Sequence, residues 1–215
     1  MIVAIDGPAG SGKSAVGRRV AEALGLRFVD SGLMYRAVGA LALEAGVDLA
    51  DAGTLTRLAG ATVVRIDGPC VRVDERDVTG RVYAPELSAA ASRVAEVPGV
   101  RLAVVAQLRA MGRGGVVMAG RDIGTVVFPD ADFKFFLTAS SDERARRRAA
   151  QIERRGERAD PGRLRIEVEE RDRRDAGRAV APMRAADDAV VLPTDGLDLA
   201  GVVAAVLRHV RGGAA

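Results

Sequence analysis

The chain has 215 residues, 48% hydrophobic and 28% charged, with 32 Lys and Arg against 29 Asp and Glu and a net charge of +3. That supports one good core with room for a small insertion and excludes a disordered chain. One cysteine (Cys70) excludes an internal disulfide, one histidine (His209) leaves no histidine metal cluster or acid–base triad, and no apolar run is long enough to span a bilayer. A cytoplasmic protein without a membrane partner is expected, and a first strand at Ile2 leaves no room for a signal peptide before it. The basic balance suits polyanionic ligands, but at 3% aromatic content the stacking platforms of a nucleic-acid binder are missing.

The apolar run Ile2-Val3-Ala4-Ile5 reads as a strand. GPAGSGKS follows at residues 7–14, and a helix is predicted from Ser14 to Leu24, closed by Gly25. Strand, glycine-rich loop and helix form the context in which G-x-x-x-x-G-K-[ST] is a phosphate-binding loop. The loop Gly7, Pro8, Ala9, Gly10, Ser11, Gly12, Lys13, Ser14 and Ala15 is the expected cradle, its N–H groups surrounding phosphate oxygens. In this reading Lys13 neutralises the β and γ phosphates of ATP and the Ser14 hydroxyl ligates Mg²⁺. Lysine occurs only twice, and one copy occupies the motif; Lys134, in DFKFFLT, is expected to point outward from a strand.

Further strands are predicted at 27–29, 115–119, 132–138 and 189–193, with helices from Leu33 to Ala45 and Leu199 to Val210. Apolar strands alternating with helices imply a parallel sheet covered on both faces. Residues 61–79 break the pattern with short alternating runs around Asp67-Gly68-Pro69, an antiparallel hairpin flanked by helices at about 51–59 and 84–96. Ser140 and Glu143 have capping-box spacing, opening an arginine-rich helix that ends near Gly156, and Asp160-Pro161 starts another. These two helices are either a moving flap or a rigid hairpin with a solvated basic face.

In open parallel sheets ligands bind beyond the carboxyl ends of the strands. Three polar motifs fall there: the glycine-rich loop, Asp30-Ser31-Gly32 running on to Tyr35-Arg36, and Gly120-Arg121-Asp122. Arg36 and Arg121 suit a phosphate. Asp122 either pairs with Arg121 or accepts from a ligand amino group. Arg171, Asp175 and Arg178 fall at i, i+4 and i+7 and are predicted to share one helical face, as a binding set or a salt-bridge stripe.

With GPAGSGKS, DSGLMYR, AAASRVAEVPGVR, AGRDIGTVVFPDA and ERDRRDAGRAVAPM in this order, the chain resembles the bacterial cytidylate (CMP/dCMP) kinases of the nucleoside monophosphate kinase group over nearly its whole length. The resemblance implies a three-layer α/β P-loop core with a five-stranded parallel sheet, built from about 1–36, 98–140 and 177–215. It also implies a nucleotide-binding insert with antiparallel strands at about 37–97 and a short helical lid at about 141–176. By the same resemblance Ser31, Arg101, Asp122 and Arg178 contact cytosine, Ser92, Arg171 and Asp175 the ribose, and Arg36 and Arg121 the acceptor phosphate. Arg147, Arg154 and Arg158 are lid candidates for catalysis beside Lys13 and Arg121. The implied substrates are CMP or dCMP with ATP, and a monomer is expected. Competing readings are a kinase for UMP, AMP or a hydroxylated metabolite, and a nucleotide-switch or nucleic-acid-associated ATPase.

Overall fold

The computed structural model describes residues 1–84, 87–154 and 156–213. In chain order its strands are β1 (Ile2–Asp6), β2 (Arg27–Asp30), β3 (Val64–Asp67), β4 (Cys70–Val73), β5 (Arg76–Asp77), β6 (Val116–Ala119), β7 (Phe133–Thr138) and β8 (Val190–Pro193). Its helices are α1 (Lys13–Leu24), α2 (Gly32–Glu44), α3 (Ala52–Ala61), α4 (Thr79–Val82), α5 (Leu87–Val94), α6 (Pro98–Met111), α7 (Ser141–Glu153), α8 (Pro161–Ala176) and α9 (Leu199–Gly212). A π-helical turn, Ile123–Val127, follows β6.

Five strands pair in parallel in the order β2-β6-β1-β7-β8, the sheet expected from the alternating pattern. Ala119 is level with Ile5 of β1 on one side and Asp30 of β2 on the other. The three polar loops therefore leave from one edge, side by side. One face of the sheet packs Val3, Ile5, Val117, Phe135 and Leu137 against Val16 and Val20 of α1 and Val202 and Val206 of α9. The other face packs Ala4, Val116 and Met118 against α2, α3, α6 and the smaller sheet. Each fully buried Ile, Leu or Phe contributes about 1.5–3 kcal/mol, so a core poor in aromatics still holds this edge rigid.

The hairpin at residues 61–79 is present as β3 and β4, turning at Gly68 with φ +55, and it gains a short third antiparallel strand, β5. The helix expected at 84–96 is shorter: the one-turn α4 precedes it, α5 covers Leu87–Val94, and Pro85 and Glu86 lie outside the described residues. Helix α6 was not read from the sequence, although Pro98 sits in its first turn and Val100, Val104, Val105 and Leu108 form its buried stripe. Its rotation also points Arg101 inward.

Two placements correct the sequence expectations. Helix α8 ends at Ala176, and Gly177 caps it, so Arg178 lies beyond the helix rather than on its face with Arg171 and Asp175. Lys134 does not point freely outward: its side chain is only 9% exposed and its ammonium is held by Asp188 and the Pro129 carbonyl.

Candidate active site

The loop after β1 has an unusual backbone, with φ +143 at Gly7 and +81 at Gly10. A Cβ on Gly7 would stand 2.1 Å from the Leu137 carbonyl oxygen, so only glycine lets the chain turn away from the sheet here. The loop then feeds α1, whose N-terminus faces the edge of the sheet with its amides unpaired by the helix. Lys13 is buried, and its ammonium donates to the Pro8 carbonyl at 2.6 Å and to Ser11 Oγ at 3.3 Å. Burial, reinforced by Arg121, pushes this ammonium well below its ordinary value. An arriving phosphate reverses that pressure. Ser14 Oγ donates to Asp30 Oδ2 at 2.6 Å, joining the loop after β1 to the end of β2.

A cleft of about 1280 Å³ opens above this loop. Ala9 to Ala15 form its floor, with Asp30, Arg36 and Arg121 on one side and α7 and α8 on the other. Gly7 and Pro8 lie behind the floor rather than on it. Arg36 donates to the Val82 and Ala84 carbonyls, both at 3.1 Å, and to Ser88 Oγ at 2.6 Å, which ties α2 to the segment around α4 and α5. Arg147 is braced against the loop: it donates to Glu143 Oε1 at 2.7 Å, to the Ser11 carbonyl at 3.3 Å and to the Thr194 carbonyl at 2.7 Å. Arg154 and Arg158 also line the cleft and are exposed.

A second, smaller cavity of about 40 Å³ adjoins the first, lined by Ser31, Ser92, Arg101, Asp122, Asp175 and Arg178 among others. Gly32, Gly120, Arg121 and Arg171 border both spaces, so Lys13 and Asp122 open onto one continuous site. Ion pairs line the smaller cavity, and one of them, Arg101–Asp122, is fully buried. Arg101, 2% exposed, pairs with Asp122, stacks over the Tyr35 ring at 5.5 Å and donates to the Ala95 carbonyl at 3.1 Å. Arg121 pairs with Asp175 at 2.9 Å, and Arg178 holds the other oxygen of the same carboxylate. Arg121 and Asp122 are thus not each other's partner.

Burial works to raise the Asp175 carboxyl, but Arg121, Arg178 and Arg171 outweigh it and hold it below the usual carboxylate range. Burial, with Arg121 close by, pushes the Arg171 guanidinium down to about 10, and burial takes the Tyr35 hydroxyl up to about 12. The site therefore carries surplus positive charge at its centre, waiting for an anion. Buried polar atoms without a hydrogen-bond partner among the described residues cluster here too: Ser92 Oγ and the Nε atoms of Arg101, Arg171 and Arg178, the Arg171 Nε lying 4.0 Å from Asp175.

Comparison with known proteins supplies the family. The family described as cytidylate kinase matches residues 3–212. The chain is 47% identical over 217 residues to a cytidylate kinase of Solibacter usitatus (strain Ellin6076), covering 98% of this chain and 92% of that one. The chain belongs to the cytidylate kinase family. It is also 46% identical over 218 residues to a bifunctional pantoate ligase/cytidylate kinase of Synechococcus sp. (strain JA-3-3Ab), where the match covers 98% of this chain and spans about 40% of the relative's length. A solved gluconokinase from Sinorhizobium meliloti 1021 shares the fold, with a TM-score of 0.51 at 18% identity, covering 98% of this chain and 92% of that one.

Within this member of the cytidylate kinase family, several site groups escaped the sequence reading. Asp6, at the end of β1, is buried and accepts from the Ile123 and Gly124 amides at 2.9 and 2.8 Å. Burial pushes its carboxyl up to about 6, opposed by those two amides and by Lys13 and assisted by Asp122. Because the folded value is raised, this group favours the fold fully only below its ordinary value near 4 and withdraws that contribution as pH rises through about 6. Arg144 donates to the Ala9 carbonyl at 3.1 Å and pairs with Asp172, which links the phosphate loop to α8. The capping box at α7 is only half formed: Ser140 Oγ accepts from the Glu143 amide, but the Glu143 carboxylate turns to Arg146 and Arg147, and Asp195 takes the Ser140 amide.

Proposed function

We propose that the protein transfers the γ-phosphoryl group of ATP to CMP or dCMP, giving ADP and CDP or dCDP. The observation that carries this reading is the continuous site in a cytidylate kinase family chain, where Arg121 and Arg171 stand between a phosphate loop and a polar pocket. The acceptor oxygen is an already anionic phosphate, so the reaction needs alignment and charge neutralisation more than a general base. Lys13 and the loop amides hold the donor phosphates. Arg36 and Arg121 hold the acceptor phosphate, and Ser92, Arg171 and Asp175 meet the ribose. Arg147, Arg154 and Arg158 on and after α7 close over the transferring group, excluding water and limiting ATP hydrolysis.

Magnesium fits this donor set. The Ser14 hydroxyl and the Asp30 carboxylate face the cleft together, and Mg²⁺ takes hard oxygen ligands while keeping waters and phosphate oxygens in its shell. Among the described residues no group of three or more His, Cys, Asp or Glu is placed to cage a metal, in keeping with an ion that arrives on its nucleotide. When bound, the ion neutralises developing phosphate charge.

Base choice follows from hydrogen-bond polarity. Asp122 accepts from the exocyclic amine of cytosine, while Arg101, Arg178 and Ser31 serve N3 and O2. Uracil would set a carbonyl against the carboxylate and an N–H against donors, leaving buried groups unpaired. At about 40 Å³ the pocket holds a few waters rather than a pyrimidine, so it must widen to admit a base. Among the described residues no helix is long and apolar enough to cross a membrane.

The test is a coupled assay with ATP, Mg²⁺ and each of CMP, dCMP, UMP and AMP. CMP and dCMP should exceed UMP in kcat/KM by roughly 10² or more, the margin a polar site reaches when it is left unpaired by the wrong ligand. Best activity on AMP would overturn the assignment.

A further inference from the structure

We propose that Asp6 is a specificity-determining positioning residue, whose carboxylate clamps the π-helical turn that carries Asp122 and so sets base choice at the acceptor pocket. The proposal rests on the reading of Asp122 as the group that meets the cytosine amine. Asp6 is the last residue of β1 and directly precedes Gly7, so it belongs by sequence to the donor side. Its two oxygens accept from consecutive amides of the turn, Ile123 at 2.9 Å and Gly124 at 2.8 Å. The turn in turn grips Asp122 by its backbone, because the Val126 and Val127 amides both donate to the Asp122 carbonyl, at 2.9 and 3.2 Å. Asp122 itself has an isolated backbone conformation, φ −148 and ψ 27, and no side-chain cap holds the start of the turn. Among the described residues no other hydrogen bond holds the first two amides of the turn, so the carboxylate decides where the turn begins and which way Asp122 leaves it.

A π-helical segment is rare and is found most often at functional sites. A merely structural role is poorly served by this choice of residue. A carboxylate buried here works against folding near neutral pH, since its folded-state value is displaced upward by burial, with Asp122 adding and Lys13 and the two amides opposing. A neutral acceptor would avoid that penalty but would not satisfy both amides. Gly124 lies next to the carboxylate: a Cβ there would be in ordinary contact with Asp6 Oδ2, at 3.5 Å, and would press on the Lys134 stem at 3.2 Å. The charged groups facing Asp6 are therefore Lys13 from the phosphate loop and Asp122 from the turn, with the Lys134 stem of β7 packed against Gly124 beyond them.

The experiment measures kcat and KM for CMP and UMP, and KM for ATP, in Asp6→Asn, Asp122→Asn and the double variant. Asn keeps the shape of Asp6 but can accept from only one of the two amides. Asp6→Asn should raise KM for CMP about 10-fold and lower the CMP-to-UMP ratio of kcat/KM by a similar factor, with KM for ATP within about 3-fold of wild type. Adding Asp6→Asn to Asp122→Asn should reduce the ratio no further, because the two act as one unit. Equal loss on CMP and UMP, or additive losses in the double variant, would overturn the proposal alone and leave Asp122 as the base reader. Lost selectivity in Asp6→Asn with none in Asp122→Asn would overturn both. Asp6→Ser, which keeps a polar group too short to reach both amides, gives the same readout if Asp6→Asn does not fold.

Discussion

Lys13→Met should leave the protein folded and lower kcat for CMP phosphorylation by roughly 10³-fold, about 4 kcal/mol of transition-state stabilisation. The ammonium lies buried in the phosphate loop, hydrogen-bonded to the Pro8 carbonyl and Ser11, and among the described residues it makes no salt bridge to a carboxylate. Its displaced value shows that the nucleotide-free fold tolerates this charge rather than depends on it. Methionine has similar length and adapts to irregular space, so the thermal midpoint should hold or rise. Steady-state kinetics paired with a thermal melt separate the two effects. A kcat within 10-fold of wild type would remove Lys13 from the catalytic machinery.

Asp122→Asn should lower kcat/KM for CMP by roughly 10²–10³-fold and bring the CMP-to-UMP ratio within about 10-fold of unity. The amide keeps the volume of the carboxylate but reverses part of its polarity, presenting N–H where cytosine also presents N–H. The same change leaves Arg101, 2% exposed, facing a neutral group. Breaking a buried pair from one side costs about 3–5 kcal/mol, so the thermal midpoint should fall as well. Selectivity, a ratio taken on the same folded enzyme, is blind to that fall. An unchanged ratio would show that Asp122 holds Arg101 without reading the base.

Local pattern made the edge of the sheet legible: strand, glycine-rich loop and helix at residues 2–24 are contiguous, and each polar motif follows directly on an apolar run. Which arginine meets which aspartate was not legible. Arg121 and Asp122 are neighbours in sequence, yet both lie in the bend between β6 and the π-helical turn, where Asp122 has φ −148 and ψ 27, and their side chains part there, one finding Asp175 and the other Arg101. Arg178 looked helical by spacing, but Gly177 ends α8 and the arginine reaches Asp175 from beyond it. Helix α6 opens on Pro98 and Gly99, residues that disfavour a helix interior, so its start carries little helical signal, although proline is at home in a first turn. Asp6 carried no local signal: its partners lie 117 and 118 residues away and are backbone amides, which no side-chain pattern encodes. Arg144 was lost in a run of similar arginines, and only the approach of Gly10 to α7 makes it different from Arg146.

The central claim is that donor cradle and acceptor pocket face each other across a single cleft. The direct test is the dissociation constant of adenosine and cytidine joined 5′ to 5′ through five phosphates, measured by calorimetry beside ATP and CMP alone. A shared cleft predicts binding at least ~10²-fold tighter than either nucleotide, because the second half arrives at high effective concentration. Binding no tighter than the better single nucleotide would place the two sites apart and contradict the account.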